Sequence, residues 1–166
     1  MCIRDRYKIK ALDIIDLLKP DLYVDIGCGL GEILSKVKLQ PSRKIGFDID
    51  DRLTEIIKSN FRKNFIFFNK KQDLINYVKN LSITNNEMVV ISMLNFIHVL
   101  SEDDLINFIS ELYKNIGSYV LLVDNIFIKS IQYKYSHHYY LLNHRGLIKY
   151  FPNVDNIRNL YCIQIN

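Results

Sequence analysis

From residue 22 onward, short runs rich in β-branched and aromatic residues alternate five times with stretches whose apolar residues recur at helical spacing. The runs Leu22–Ile26, Lys44–Asp48, Asn64–Phe68, Met88–Ser92 and Ser118–Val123 read as strands. Glu32–Leu39 (closed by Pro41), the segments around Leu53, Ile56 and Ile57 and around Leu74, Val78 and Leu81, and the stretch carrying Leu105, Ile109, Leu112 and Ile116 read as helices. A further helix over residues 7–19 precedes them and stops at Pro20. Ser101-Glu-Asp-Asp104 has the form of a capping box with Asp in the last place. Strict alternation of this kind needs right-handed crossovers, so the strands must lie parallel with helices on both faces of the sheet. The fourth run is apolar on both faces, as a buried parallel strand must be.

The last quarter is less regular. Tyr139–Asn143 reads as a helix ending near Gly146, followed by strands Leu147–Phe151 and Asn159–Ile165 joined through Pro152–Asp155. A single helix from Tyr139 to Phe151 competes with this. Gly146 speaks for the two strands, because glycine inside a helix costs about 1 kcal/mol and suits a helix end.

One domain accounts for the whole chain. Its 166 residues have the size of a single core, and 49% hydrophobic with 24% charged residues is the balance of a globular protein. The longest uncharged apolar run, Met88–Leu100, is broken by Ser92, Asn95 and His98 and falls short of the ~20 residues of a membrane span. Three cysteines, Cys2, Cys28 and Cys162, give an odd count without repeat spacing. That favours free thiols in a reducing, cytoplasmic setting. No Cys/His pair has the spacing of a zinc site, so no metal is expected. The net charge of +4 comes from scattered Lys and Arg. The abundance of Ile, Asn and Lys reads as coding drift in an AT-rich genome rather than as a nucleic-acid footprint. Residues 1–6, Met-Cys-Ile-Arg-Asp-Arg, resemble a translated sequencing adapter. They are set aside as a leader, with residues 7–166 forming the domain.

The chemistry concentrates in Asp25-Ile-Gly-Cys-Gly-Leu-Gly31, at the end of the first strand. Glycines there let the backbone turn sharply and approach a ligand closely. Asp48 closes the second strand, where a carboxylate can accept from both hydroxyls of a ribose. The spacing separates ligands. A dinucleotide loop is G-x-G-x-x-G with a helix start facing pyrophosphate. Here the pattern is G-x-G-x-G, and Glu32 would oppose that phosphate. Asp25 adds a second acid, wrong for phosphate and favourable beside an ammonium or sulfonium.

On these residues the chain resembles the class I S-adenosylmethionine-dependent methyltransferases. Tyr23–Gly31 is similar to that family's first motif and Ile45–Ile49 to its second. Asn95–Leu100 is similar to the segment after the fourth strand, and Gly146-Leu147 onward to the terminal strand pair. The resemblance implies a three-layer, doubly wound, mostly parallel seven-stranded sheet with an antiparallel C-terminal strand. It further implies that Gly27, Cys28, Gly29 and Gly31 line the methionine and ribose portions of S-adenosylmethionine. Asp25 would help hold the amino group, Asp48 the ribose hydroxyls, Ile49 one adenine face, and Met93 and Leu94 the other. The family's acid after the third strand has no clear counterpart: Asp73 is displaced, and Lys71 falls near its place.

Methyl transfer to a small-molecule or glycan-precursor acceptor is the expected activity. His98 is the candidate base, with His137 and His138 behind it; His144 shares their His/Tyr-rich stretch. Asp124 ends the fifth strand where such sheets recruit site residues. Tyr133, Tyr135, Tyr139, Tyr140 and Tyr150 either clamp an acceptor or pack the core. Ser92-Met-Leu-Asn95 stands where amino-methylating nucleic-acid enzymes of this fold carry Asn/Asp-Pro-Pro-aromatic, which counts against such acceptors. Two rivals stay open: a non-catalytic binding or scaffold protein with a methyltransferase-like fold, and a nicotinamide-dependent oxidoreductase.

Overall fold

Strands β1 (Leu22–Ile26) and β4 (Val89–Met93) are buried at every position, and their runs of Val, Ile, Leu and Tyr form the centre of one sheet. The computed structural model describes residues 6–60, 63–97, 100–126, 146–151 and 158–166. The remaining strands are β2 (Lys44–Phe47), β3 (Ile66–Phe68), β5 (Tyr119–Ile126), β6 (Gly146–Phe151) and β7 (Arg158–Ile165), in the spatial order β3-β2-β1-β4-β5-β7-β6. Strands β1 to β5 run parallel. Strand β7 is antiparallel to both β5 and β6.

Side chains alternate across the sheet, and each face has its own helices. Leu22, Val24 and Ile26 of β1 pack with Val89, Ile91 and Met93 of β4 against α4 (Lys71–Asn80) and α5 (Glu102–Ile116). Tyr23 of β1, Val90 of β4, and Val120 and Leu122 of β5 face α1 (Arg6–Leu18), α2 (Glu32–Lys36) and α3 (Asp51–Asn60). This is the expected α/β arrangement with a parallel sheet, an antiparallel C-terminal strand and helices on both faces.

Several boundaries differ from expectation for local reasons. Helix α2 stops at Lys36 instead of Leu39, because Val37 turns extended and buries its side chain against the α1 side of the sheet. Strand β3 starts at Ile66, and Phe65 just before it is buried in the same cluster. Strand β5 runs on to Ile126, carried by pairing with β7 out to Arg158, so Asp124 lies within the strand. Residues 146–151 pair antiparallel with β7, which replaces the competing single helix; the expected helix at Tyr139–Asn143 falls outside the described residues.

Ser101 caps α5: its hydroxyl oxygen accepts from the Asp104 N–H at 3.1 Å and donates to the Asp104 carboxylate at 2.6 Å. Leu112, on the buried stripe of that helix, is fully enclosed. Two substitutions on α5 should therefore separate in size. Leu112→Ala should destabilise by roughly 2–5 kcal/mol through lost transfer energy and a cavity. Ser101→Ala should cost about 1 kcal/mol through the lost cap. Urea denaturation of the two variants beside the parent chain measures both.

Candidate functional site

The loop from β1 into α2 is built on three glycines with left-handed backbone: Gly27 at φ 75°, Gly29 at 54° and Gly31 at 74°. The Gly27 and Cys28 amides both donate to the Phe47 carbonyl, at 2.7 and 3.1 Å, which ties the loop to the end of β2. The glycines have different neighbours. A Cβ on Gly27 would meet the Phe96 side chain at 2.5 Å, and one on Gly31 the Phe65 ring at 2.3 Å. A Cβ on Gly29 would meet nothing within 4 Å. Gly27 and Gly31 are thus packed, while Gly29 looks onto open space.

Asp48 turns its carboxylate towards this loop. Its Oδ2 accepts from the Gly29 amide at 2.9 Å and its Oδ1 from the Asp50 amide at 3.0 Å. Beside it, Ile49 is 74% exposed, an uncovered apolar side chain.

Asp25 is only 4% exposed. Parallel pairing of β1 with β4 sets Asp25 opposite Ser92, whose hydroxyl donates to Asp25 Oδ1 at 2.6 Å. The Tyr23 Oη lies 2.6 Å from the same Ser92 Oγ. Burial, and then the charge of Asp25, keep the Tyr23 phenol protonated, so it donates to Ser92 and Ser92 donates onward. Burial pushes the Asp25 carboxyl up to about 7; the Ser92 hydrogen bond and Lys8 oppose the shift, and the charge of Asp48 adds to it. Burial likewise raises the Cys28 thiol, with Asp25 and Asp48 adding to it. A nucleophilic thiolate is disfavoured there.

A cavity of about 280 Å³ opens at this end of the sheet. Of the expected site residues, Asp25, Gly27, Cys28, Gly29 and Leu94 line it; Gly31, Asp48, Ile49 and Met93 do not. Met93 is fully buried in the α4/α5 core. Six further residues line the cavity that sequence reasoning did not assign to the site: Tyr7 and Lys8 of α1, Leu30 of the loop, Glu32 and Ile33 of α2, and Asn95 after β4. Lys8 Nζ bonds Glu32 Oε2, and Lys36 Nζ reaches Glu32 Oε1 at 3.4 Å. The Lys8 hydrogen bond is the main reason the Glu32 carboxyl sits below its ordinary value. Asn95 has a left-handed backbone, φ 55°, and its amide donates to the buried Asp124 carboxylate at 2.6 Å. Asp124 therefore braces the β4 loop.

Lys71 pairs with Glu111 at 2.6 Å and lies 5.1 Å from the centre of the Phe108 ring, while Asp73 is exposed. His98, His137, His138 and His144 lie outside the described residues, as do Tyr133, Tyr135, Tyr139, Tyr140 and the side chain of Tyr150. Among the described residues no three His, Cys, Asp or Glu side chains group as they would around a metal ion. No described helix is long and apolar enough to cross a membrane.

No protein-family model matches this sequence, and no curated protein matches it. Solved structures do. The methyltransferase domain of a bacterial CtHen1 superposes with a TM-score of 0.68 at 12% identity, covering 99% of this chain and 100% of that one. The N-methyltransferase NodS of Bradyrhizobium japonicum WM9 gives 0.65 at 12%, covering 96% and 95%. An S-adenosylmethionine-dependent methyltransferase of Clostridium acetobutylicum ATCC 824 gives 0.60 at 12%, covering 98% and 92%. The described residues thus share the fold of these methyltransferases.

An acid whose native pKa lies above its unfolded value holds its proton more tightly in the native state. Native stability from Asp25 is then greatest below its ordinary value of 3.8 and is lost as pH rises through about 7. Asp25→Asn keeps an oxygen for the Ser92 hydroxyl and cannot ionise. The urea midpoint of the parent chain should fall more steeply between pH 4 and 8 than that of the variant. Parallel profiles would mean that Asp25 has an ordinary pKa.

Proposed function

We propose that this chain binds S-adenosylmethionine at the glycine loop and transfers its methyl group to a small-molecule or glycan-precursor acceptor. The observation that carries this reading is the pairing of the Gly29 amide with the Asp48 carboxylate, beside open space and next to a cavity that the buried Asp25 lines. The acids suit the ligand. A carboxylate pair at the end of β1 and β2 attracts a sulfonium and an ammonium and repels a pyrophosphate. The open side of Gly29 leaves room for a ligand where a side chain would intrude.

Residue roles follow from the resemblance and from placement. Asp48 holds the ribose hydroxyls with lone pairs left over from its two amide bonds. Ile49 offers an uncovered apolar surface to adenine, and Leu94, which lines the cavity, is the candidate for the other face; Met93 is enclosed in the α4/α5 core and takes no such part. Asp25 faces the amino group. The loop glycines bring the backbone close. S-adenosylmethionine supplies a methyl group that is already activated. The chain's work is therefore to hold donor and acceptor in line at about 3–3.5 Å and to keep water out. An oxygen or carbon acceptor also has to lose a proton, a task assigned to His98.

Titration calorimetry should give heat with S-adenosylmethionine and none with NADH; heat with NADH alone would replace this reading with the oxidoreductase. Asp48→Ala should weaken S-adenosylmethionine binding by about 1.5–3 kcal/mol, the range for hydrogen bonds to a charged group. Unchanged affinity would remove Asp48 from the site.

A further inference from the structure

We infer that the cavity between α3 and the edge strand β3 is a second ligand site, built for a small aromatic anion. It is independent of the reading of the glycine loop, because among the described residues the two cavities share none of their lining.

Strand β3 ends the sheet on this side, and α3 packs along it. The cavity between them measures about 540 Å³, larger than the one at the glycine loop. Small-molecule sites usually span about 300–1,000 Å³ and combine apolar walls with a few polar groups. Ile57, Phe65, Ile66 and Phe67 make the apolar walls here, and Thr54, Lys58 and Asn69 supply the polar groups. The inner wall is already in place. Ile57 and Phe65 are buried, and the Phe65 ring is backed by Gly31, where an added Cβ would meet it at 2.3 Å. A ring wedged there cannot turn into the cavity without giving up that packing.

The polar groups sort the ligands. Lys58 is the one charged residue among the described residues of the lining. Its pair with Glu55 is 3.7 Å long and exposed, and a contact of that kind holds the ammonium weakly. Neither Glu55 nor Asp51 lines the cavity, so neither acid stands against an anion inside it. Thr54 Oγ1 is shut away from solvent without a hydrogen-bond partner, whereas Ser59 on the same helix returns its hydroxyl to the Glu55 carbonyl at 2.9 Å. A buried hydroxyl left unpaired is a cost that a polar atom of a ligand can relieve. Asn69 donates to the Asp51 carboxylate at 2.8 Å, which ties the end of β3 to the start of α3. Two phenylalanines and two isoleucines with a single ammonium fit an aromatic body that carries one negative group. A ligand rich in phosphate would bring several charges to one lysine and leave the apolar walls uncovered.

Two fluorescent probes with the same anilinonaphthalene body make the test. 8-Anilinonaphthalene-1-sulfonate carries one sulfonate; N-phenyl-1-naphthylamine carries none. Each is titrated into the folded parent chain, Lys58→Glu and Thr54→Leu, with the urea midpoint of every chain measured alongside. The parent should take up one sulfonate probe per chain, saturably, and S-adenosylhomocysteine should not displace it. Lys58→Glu should weaken the sulfonate probe by about tenfold and leave the uncharged probe within about twofold. Thr54→Leu puts an apolar side chain in place of the unpaired hydroxyl and takes up cavity space. It should weaken both probes by about tenfold without lowering the urea midpoint. Lys58 is exposed, so its variant keeps the fold and decides the matter whatever Thr54→Leu does to stability. Absence of saturable binding, equal weakening of both probes by Lys58→Glu, or no weakening of the sulfonate probe overturns the proposal. Displacement by S-adenosylhomocysteine overturns it too, since the probe would then sit at the glycine loop.

Discussion

The Phe47 carbonyl oxygen, at the end of β2, receives the amides of both Gly27 and Cys28. Two donors on one acceptor hold the β1 loop against the neighbouring strand before any ligand contributes. The loop can fold back this way because its glycines adopt left-handed backbone that side chains resist. The next residue on β2's side, Asp48, then finds the Gly29 amide in reach and fixes it. Backbone pairing of β1 with β2 thus sets the loop, and the loop sets the direction of the Asp48 carboxylate. The switch in strand order at β1, with β2 on one side and β4 on the other, is where a doubly wound sheet leaves a crevice.

Asp25 shows what that crevice demands of the core below it. A carboxylate with 4% exposure loses most of its hydration, a penalty that drives it towards the neutral form. Ser92 answers this from β4 with a hydroxyl, and Tyr23 supports Ser92 from the strand face shared with Asp25. The relay is a row of polar atoms inside otherwise apolar strands. Replacing it with aliphatic side chains would suit the core equally well, since a buried ionisable group is weak evidence for stability. A buried acid at the cavity wall is suited to facing a cationic group.

Much of this was legible in the sequence, and the reasons are local. Alternation of strand and helix is written in periodicity, so the parallel sheet followed from the spacing of Leu22–Ile26, Lys44–Asp48 and their successors. The glycine loop and Asp48 are a compact pattern at strand ends, where position alone carries meaning. Element ends were less legible. Val37 leaves α2 early to fill a pocket that only the folded chain defines, and β5 extends past Val123 because β7 pairs with it there. Lys8 was hidden for a related reason. Its partner Glu32 lies 24 residues away on another helix, and nothing in a stretch of lysines on α1 marks one of them. Ser92 did leave a trace, as a hydroxyl in an apolar strand, but its partner depended on the β1/β4 register.

The electrostatics of the cavity follow from where those charges come from. Asp25 is held by the Ser92 hydroxyl and Asp48 by the amides of Gly29 and Asp50. Lys8 and Glu32 sit on α1 and α2, outside the sheet, with long side chains and substantial exposure. Asp25 on the cavity wall and Asp48 on the neighbouring loop amide favour a cationic group over a phosphate at this place, which is what the proposed ligand requires. The Lys8–Glu32 pair adds one charge of each sign on the helix side of the same cavity.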